Sequence, residues 1–540
     1  MTTTFPAIFR KTQRSLRLAI GLLVIFFVLA GSGFASQSDP GQSRIDVKQT
    51  LRTADKMILR GEYEESEKLL KAALVEHPQE ASLKLKLAFT LLKLKAFLDA
   101  YNLSYAVAKD DPKNAHAFAV LGSVLLAGGR FNDARTILTR GLQLDEDDGL
   151  ALASFGLLEF YENRLMSSLD YLYAAVFNQP ENPDYIFSFA QVAARAERYK
   201  EAAEHYRKFL IFSKNTDDDR RERIRGLIKF LEYLGYRSSL YAVNGANSSV
   251  VNFELRGNRP IILLKINGRP NLLRFVLDTG SGISVISHET AKRLKLKPIA
   301  RGGHAKGIGG DGRFEIVYGF LRQVQIGDIK IRSVPVYIRQ FHHNIHNIDG
   351  YIGISLISKF LTTVDYPAQT FTLSRLNSER IAGPAKQGIS LPLRLTSSGF
   401  LSGEVQMEGV ETPMNFIVDT GASVSVVADS LAKREPFLSL PRRDPLRVVG
   451  SAGITENVES FTLPRISFGE HTRESITAIA LNLDIINDAS GFEQSGILGG
   501  NFFLDYRLTF DFRNSLVLFA PAKPQPSSVP TEQNEIKSLP

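Results

Sequence analysis

The chain has 540 residues and no cysteine, which excludes disulfides, thiol chemistry and attachment through a lipidated N-terminal cysteine. It also lacks a basic block of the kind that binds nucleic acid, although its formal net charge is +8. Residues 1–35 contain no acidic side chain, and four of the positive charges lie there: Arg10, Lys11, Arg14 and Arg17. We therefore expect no nucleic-acid partner. The length of the chain predicts several domains.

The first long apolar run, Leu18 to Ala35, follows those positive charges and breaks into polar sequence at Ser36. Charged, apolar and small residues in this order are typical of a secretory signal, with Gly33-Phe34-Ala35 as the cleavage site. An uncleaved membrane anchor is the alternative, because such a run can just span a bilayer core of about 30 Å. Residues 1–35 thus predict export to the periplasm or the cell exterior, with residues 36–47 as a linker.

Residues 48–237 repeat at an interval of 34 residues. The same turn recurs at Gly61, Lys95, Gly129, Asn163 and Glu197, and prolines recur at Pro78, Pro112 and Pro180, where a second helix must stop. This period resembles the tetratricopeptide repeat family, in about five units with a capping helix near residues 217–234. The resemblance implies an α-solenoid that binds a protein partner. A spacer or an oligomerisation surface is the alternative.

Beyond residues 238–257, whose Asn, Gly and Ser content predicts a linker, short β-branched and aromatic runs predict an all-β region. This region occurs twice, as lobes over residues 258–385 and 386–521, before a tail (522–540) whose composition predicts disorder. Asp278-Thr279-Gly280-Ser281 returns as Asp419-Thr420-Gly421-Ala422. A later glycine cluster also recurs, first as Gly307, Gly309 and Gly310 and then as Gly450 and Gly453, as does a late glycine, Gly353 and Gly499.

Both copies resemble the aspartic peptidases, nearest to the retropepsin-like branch. The resemblance implies a multidomain α + β chain, in which the solenoid precedes a bilobal all-β aspartic-peptidase fold. It also implies that Asp278 and Asp419 form a catalytic pair that activates water against a polypeptide substrate. Thr279, Gly280, Ser281, Thr420, Gly421 and Ala422 would then support the active-site loops, and the glycine clusters would form flap tips.

The residues leave several alternatives open. The lobes could face each other in one chain, could act only as a homodimer, or could form a non-catalytic peptide-binding scaffold beside the repeats. The array could also recruit substrate to the peptidase. No cofactor is expected and no metal site, because His342, His343 and His346 have no carboxylate or cysteine partner at a metal-binding spacing.

Overall fold

The computed structural model describes residues 46–213, 218–237, 239–309, 313–341, 347–376 and 389–521. Helices come first and strands follow, which confirms the predicted solenoid before a strand-rich region. Within these ranges no helix combines the length and the apolar character that crossing a bilayer requires. The predicted signal or anchor, Leu18 to Ala35, lies outside the described residues.

The described part of the solenoid consists of paired antiparallel helices followed by one longer helix. They are α1 Val47–Leu59, α2 Tyr63–Glu76, α3 Ala81–Lys93, α4 Phe97–Asp110, α5 Ala115–Ala127, α6 Phe131–Leu144, α7 Gly149–Tyr161, α8 Leu165–Asn178, α9 Pro183–Arg195, α10 Tyr199–Phe212 and α11 Asp218–Gly235.

Two local signals repeat with the 34-residue period. The first helix of each pair begins after a residue whose side chain accepts hydrogen bonds from the first-turn amides: Asp46, Glu80, Asn114, Asp148 and Asn182. The turn within each pair has a residue with positive φ: Gly61, Lys95, Gly129, Asn163 and Glu197. These caps and turns set where each helix begins and ends, and the apolar faces then pack into one core along the array.

The strands form two sheets. They are β1 Ala242–Gly245, β2 Ser248–Arg256, β3 Arg259–Ile266, β4 Leu273–Leu277, β5 Val285–Ser287, β6 Ala300–Lys306, β7 Arg313–Ile326, β8 Ile329–Arg339, β9 Gly350–Ile352, β10 Phe360–Asp365, β11 Thr370–Arg375, β12 Ile389–Pro392, β13 Arg394–Leu395, β14 Leu401–Met407, β15 Met414–Val418, β16 Ser425–Ala428, β17 Arg442–Val449, β18 Ile454–Phe468, β19 His471–Leu481, β20 Gly496–Leu498, β21 Tyr506–Asp511 and β22 Leu516–Pro521. Short helices interrupt them: α12 His288–Arg293, α13 Ile354–Ile357, α14 Asp429–Ala432, α15 Asp484–Ser490 and α16 Gly500–Phe503.

The two lobes have the same strand order. Lobe 1 runs β3-β4-β9-β5-β8-β7-β6, and lobe 2 runs β14-β15-β20-β16-β19-β18-β17. In both, the strand before the Asp-Thr-Gly motif pairs in parallel with a late strand, β4 with β9 and β15 with β20. The duplication in the sequence therefore corresponds to a duplicated topology.

One further set of strands joins the lobes. In the order β12-β22-β21-β10-β11-β2, strands from both halves form a continuous extension of the lobe 1 sheet. Its centre is the antiparallel pair β10–β21, where Thr363 lies opposite Thr509 and their hydroxyl oxygens are 2.9 Å apart. Because this sheet takes strands from both ends of the β region, the lobes cannot separate without breaking its backbone hydrogen bonds.

The predicted linker over residues 238–257 is wrong. Strands β1 and β2 lie there; β1 pairs with β8, and β2 pairs with both β11 and β3. The Asn and Ser content of residues 238–257 is typical of a loop. Strand β2 is nevertheless stabilised by pairing with β11, which lies more than a hundred residues further along the chain. Composition within the segment does not report such pairing. The predicted boundary between the lobes, at residues 385 and 386, lies outside the described residues.

The array packs against the lobes through its turns. Lys95 forms an ion pair with Asp488, and Glu197 forms one with Lys359. The Asn415 Nδ2 donates to the Gly129 carbonyl at 3.3 Å, and the Asn163 Nδ2 donates to the Phe512 carbonyl at 3.1 Å. Four of the five repeated turns thus contact the β region.

An aromatic residue of lobe 2 is inserted into the core of the array. The ring centroid of Phe492 lies 4.9 Å from that of Phe131 and 5.0 Å from that of Tyr161. Beside it, the Glu493 amide donates to the Ala127 carbonyl at 2.8 Å. The contact buries apolar surface of both the array and lobe 2, and this burial stabilises their packing against each other.

The last array helix, α11, crosses the first hairpin strand of lobe 1, β6. Their closest approach is at Gly226, where an added Cβ would lie 2.2 Å from the Arg301 carbonyl oxygen and 2.4 Å from the Gly302 Cα. Phe230 of the same helix stacks on Tyr318 with centroids 4.5 Å apart. Helix α11 therefore fixes the base of the β6–β7 hairpin.

We expect Gly226→Ala to lower the thermal unfolding midpoint, although alanine normally stabilises a helix interior relative to glycine. The added methyl would overlap backbone atoms of β6, and overpacking of this kind costs roughly 1–3 kcal/mol. Gly128→Ala is the matched control, because its Cβ would meet nothing closer than 3.5 Å and its φ is −76°. A Gly226→Ala midpoint at or above the parent value would contradict the close packing of α11 on β6.

Candidate active site

The two Asp-Thr-Gly turns follow equivalent strands, β4 and β15. The Asp278 amide donates to the Ile352 carbonyl and the Asp419 amide to the Leu498 carbonyl, both at 3.0 Å. Each aspartate is thereby held at the end of a parallel strand pair, and both side chains face the junction between the lobes.

Reciprocal hydrogen bonds join the two turns. The Thr279 Oγ1 donates to the Val418 carbonyl at 2.6 Å, and the Thr420 Oγ1 donates to the Leu277 carbonyl at 2.7 Å. Each of these oxygens also accepts from the amide of the other threonine, at 3.2 Å from Thr279 and 3.0 Å from Thr420. Both threonines are nearly inaccessible, at 1% and 0% exposure, so water cannot replace these bonds.

The glycines of the motif are required by the close approach of the lobes. A Cβ on Gly280 would lie 2.4 Å from the Asp419 carboxyl carbon, and one on Gly421 would lie 2.7 Å from that of Asp278. Their amides also bind the neighbouring carboxylates, because Gly280 donates to the Asp278 Oδ1 at 3.0 Å and Gly421 to the Asp419 Oδ1 at 2.7 Å. The structure therefore brings together the two aspartates that the sequence predicts as a pair, within one chain.

The two carboxyls differ in their surroundings. The Ser281 Oγ donates to the Asp278 Oδ2 at 2.7 Å, whereas Ala422, at the equivalent position of lobe 2, has no hydroxyl to donate to Asp419. Burial raises the pKa of Asp278, and the Ser281 hydrogen bond and the Arg339 guanidinium oppose that rise. Burial and the charge of Asp278 raise the pKa of Asp419 well above its usual range. The raised pKa of both carboxyls favours a proton held by the coupled pair, and the Ser281 hydroxyl favours the ionised form of Asp278.

The glycine clusters lie at the tips of two hairpins, β6–β7 and β17–β18. The tips contact each other: the Ile308 amide donates to the Ser451 Oγ at 3.1 Å, and the Ala452 amide donates to the Ile308 carbonyl at 2.8 Å. Gly309 has a φ of 92°, and a Cβ there would lie 2.3 Å from the Gly453 carbonyl oxygen. The predicted tip residues Gly307, Gly309, Gly450 and Gly453 are found at this junction, and Gly310 lies outside the described residues.

The tip of the first hairpin also reaches into lobe 2. Ile308 packs against the apolar cluster of Ile417, Val426 and Ile497, as does Ala422 beside Asp419. Tyr318, further along the same hairpin, is buried between Phe230 of helix α11 and Tyr337, with centroids 4.5 and 5.4 Å away. The hairpin thus has its tip on the cleft and its base on the array.

Two residues near Asp278 were not predicted from the sequence. Tyr351 lies opposite Val276 in the parallel pair β4–β9, and Arg339 ends strand β8. The Arg339 charge lowers the pKa of Asp278, although burial dominates and raises it. Comparing equivalent positions of the two lobes could have indicated them, because lobe 2 has apolar residues there.

No group of three metal-ligating side chains occurs in the part of the chain that the structure describes. The histidines considered as ligands, His342, His343 and His346, lie outside that part. The late glycines Gly353 and Gly499 pack against backbone atoms, with an added Cβ 2.6 Å from the Ser281 carbonyl oxygen and 2.5 Å from that of Val424. They support the aspartate turns from below.

Comparison with known families agrees with both parts of the chain. A model of the aspartyl protease family matches residues 262–356 and 403–502, one match in each lobe. Two tetratricopeptide repeat models match residues 91–155 and 154–219. The predicted resemblance, tandem aspartic-peptidase lobes after tetratricopeptide repeats, is therefore confirmed, and the β region is similar to aspartic-protease-type hydrolases. No curated protein matches the chain.

Among solved structures, a thermophilic tetratricopeptide repeat protein of Thermus thermophilus is 21% identical. The match covers 34% of this chain and 98% of that chain, with a TM-score of 0.30. A MamA protein is 19% identical over 31% of this chain and 90% of its own, with a TM-score of 0.22. At these TM-scores, neither match supports a conclusion about the structure of this chain.

Thr279→Val should destabilise the protein by roughly 2–5 kcal/mol, because it leaves the Val418 carbonyl and the Thr420 amide buried without their partner, at roughly 1–3 kcal/mol each. Urea unfolding would measure the loss. Thr279→Ser is the control, since it keeps the hydroxyl and removes only a methyl group. Equal losses in the two variants would show that packing, and not the reciprocal hydrogen bonds, joins the turns.

Asp419→Asn should raise the unfolding midpoint at pH 7–8 and have little effect near pH 4. The folded-state pKa of Asp419 is raised, so its protonated form is stable in the fold, and stability falls as pH rises from the unfolded pKa of about 3.9. Asparagine never ionises and avoids that loss. Asp328→Asn, at an exposed aspartate, controls for the change in net charge. A gap between variant and parent that stays constant over this pH range would contradict the raised pKa.

Proposed function

We propose that the protein is an aspartic endopeptidase in which Asp278 and Asp419 of one chain activate water against a peptide bond. The observation that carries the proposal is the reciprocal hydrogen bonding of Thr279 and Thr420, which holds the two carboxyls next to each other. Two carboxyls this close share one proton, which is the state that general acid–base hydrolysis requires.

The chemistry follows from the difference between the two carboxyls. The ionised Asp278 accepts a proton from water as the water oxygen attacks the scissile carbonyl carbon, while Asp419 donates its proton to the carbonyl oxygen. As the C–N bond of the tetrahedral diol breaks, Asp278 delivers its proton to the leaving nitrogen and a diol hydroxyl returns a proton to Asp419, which restores the pair. Ser281 supports this assignment, because its hydroxyl stabilises the ionised form of Asp278.

The hairpin tips supply the enclosure. With Ile308 bonded to Ser451 and Ala452, the tips meet each other, and a substrate must part them to enter. When the hairpin tips close again over the bound peptide, they exclude bulk water and thereby strengthen the electrostatic interactions at the two carboxyls. Gly280 and Gly421 let the lobes approach, and Ala422 packs against the apolar cluster of lobe 2.

The alternatives are less well supported by the geometry. A homodimeric site would need each lobe to find its counterpart in another chain, yet both turns are already bonded within this one. A non-catalytic scaffold has no use for two costly buried carboxyls. The intact pair therefore favours catalysis.

Tetratricopeptide repeats are typical of protein–protein interaction, and we propose that the part of the array that does not contact the lobes binds a protein partner. The four turns that pack on the β region make the array a fixed neighbour of the cleft. Export to the periplasm or the cell exterior, with or without retention through residues 18–35, is a further proposal that stands on the sequence alone.

Asp278→Asn and Asp419→Asn should each lower kcat for an unstructured polypeptide by about 10²–10⁴-fold, because either change removes a general acid or base. Cleavage assayed by mass spectrometry between about pH 3 and pH 8, the range in which carboxyl pairs titrate, measures this. Asp328→Asn is the matched control, remote from the pair.

Mixing the two inactive variants distinguishes a site within one chain from a shared site. A site within one chain stays inactive in the mixture, whereas a site shared between chains recovers part of the activity. A parent protein that cleaves no polypeptide at any pH tested would support the scaffold hypothesis instead.

A further inference from the structure

The internal duplication allows each position around the pair to be compared with its counterpart in the other lobe. Ser287 and Ala428 each stand nine residues after an aspartate of the pair, and each lies in a parallel strand pairing. Ser287 lies opposite Arg339 in β5–β8, and Ala428 lies opposite Leu481 in β16–β19. Arg339 and Leu481 therefore occupy the same place in the two lobes.

A second pair of counterparts lies nearer the carboxyls. Tyr351 lies opposite Val276, and Ile497 lies opposite Ile417, each two residues before its aspartate. The duplicated fold thus places Tyr351 and Arg339 on the lobe 1 side of the cleft where lobe 2 has Ile497 and Leu481. The two sides differ in chemistry although they share a backbone.

The lobe 2 side is apolar. Leu481 packs against the cluster of Ile417, Val426 and Ile497, and the tip residue Ile308 covers the same cluster. Such a wall favours an aliphatic or aromatic substrate side chain.

The lobe 1 side is cationic and aromatic. The Arg339 guanidinium carbon lies 5.2 Å from the Phe314 ring centroid and 5.9 Å from that of Phe341, and the Phe341 ring meets Tyr351 edge-on at 5.3 Å. Among the described residues Arg339 has no hydrogen-bond or ion-pair partner, and its Nε is buried. A guanidinium removed from water without a direct hydrogen-bond partner is unfavourable.

The charged side chains beside Arg339 have ion-pair partners of their own, and Arg313 pairs with Asp219. A cavity of about 690 Å³ adjoins Arg339 and is lined also by His288, His304 and Arg313. The single acidic residue in its wall, Glu315, is ion-paired with Arg301. Burial raises the pKa of Tyr351, with Asp278 and Arg339 acting on it in opposite directions, so these groups lie within one electrostatic neighbourhood.

We propose that Arg339 is a specificity-determining residue that binds the carboxylate of an aspartate or glutamate side chain of the substrate, while the Leu481 side takes an apolar one. This inference rests on the proposed peptidase function. The planar guanidinium suits a carboxylate because it can donate two parallel hydrogen bonds, and the Phe314 and Phe341 rings lie beside it. The substrate carboxylate supplies the direct hydrogen-bond acceptor that the described residues do not, because Asp278 acts on Arg339 only as a nearby charge.

The test compares peptides that differ only in Glu, Gln or Leu at each position flanking the scissile bond. Arg339 should favour Glu over Gln by about tenfold or more in kcat/KM at one of these positions, because a hydrogen bond to a charged group contributes more than one to a neutral group. Arg339→Leu, which copies Leu481, should bring the ratio near one and improve cleavage of the Leu peptide. Arg339→Lys should keep part of the Glu preference.

The ratio is the readout because a change in the pKa of Asp278 alters cleavage of all peptides alike. Arg332→Leu, the same substitution at an exposed position of the same strand, should leave the ratio unchanged. A Glu-to-Gln ratio near one in the parent, or a ratio that Arg339→Leu does not alter, overturns the inference while leaving the peptidase function intact.

Binding separates the inference from the proposed function. Fluorescence anisotropy with the same peptides and the Asp419→Asn chain should show tighter binding of the Glu peptide, lost in the Arg339→Leu double variant. If the parent cleaves nothing, the proposed function fails. Equal binding of the Glu and Gln peptides would then overturn the specificity inference, and a retained Glu preference would support it.

Discussion

Four hydrogen bonds between Thr279 and Thr420 and the strands that precede them hold the centre of the molecule together. Each threonine hydroxyl donates into the other lobe and accepts from it, so neither turn has its buried polar groups satisfied alone. The proximity of the carboxyls, the absence of a side chain at Gly280 and Gly421, and the raised pKa of Asp419 all depend on this contact. It turns two copies of a strand-and-turn unit into one site.

The lobes are restrained on both sides of that contact. Below it, the strand pair β10–β21 closes a sheet that both halves share. Beside it, Phe492 of lobe 2 is inserted into the core of the array, and helix α11 packs across the first hairpin of lobe 1. Helix α11 also reaches Arg313, beside the tip of that hairpin, which forms an ion pair with Asp219, and the tip residue Ile308 contacts the other tip and lobe 2.

The two duplicated lobes share one strand order, but side chains at equivalent positions around the carboxyls differ in chemistry. Ser281 gives the Asp278 carboxyl a hydroxyl donor, whereas Ala422 gives the Asp419 carboxyl none. Arg339 and Leu481, and Tyr351 and Ile497, repeat the pattern further from the carboxyls. A single chain with two lobes can vary each side of its cleft independently, which a symmetric homodimer cannot do, since one substitution there changes both sides.

The sequence by itself determined the helical array, the duplicated lobes and the candidate aspartates. These depend on signals local to the chain: a 34-residue period with its caps and turns, and an Asp-Thr-Gly motif that occurs twice in the same frame. Only the tertiary structure decided that residues 242–256 form strands, that the repeat turns pack on the lobes, and that Arg339 reaches the neighbourhood of Asp278. The physical reason is that pairing, burial and charge–charge coupling are set by partners far away in the chain. A residue's own neighbours in the sequence carry no record of those partners.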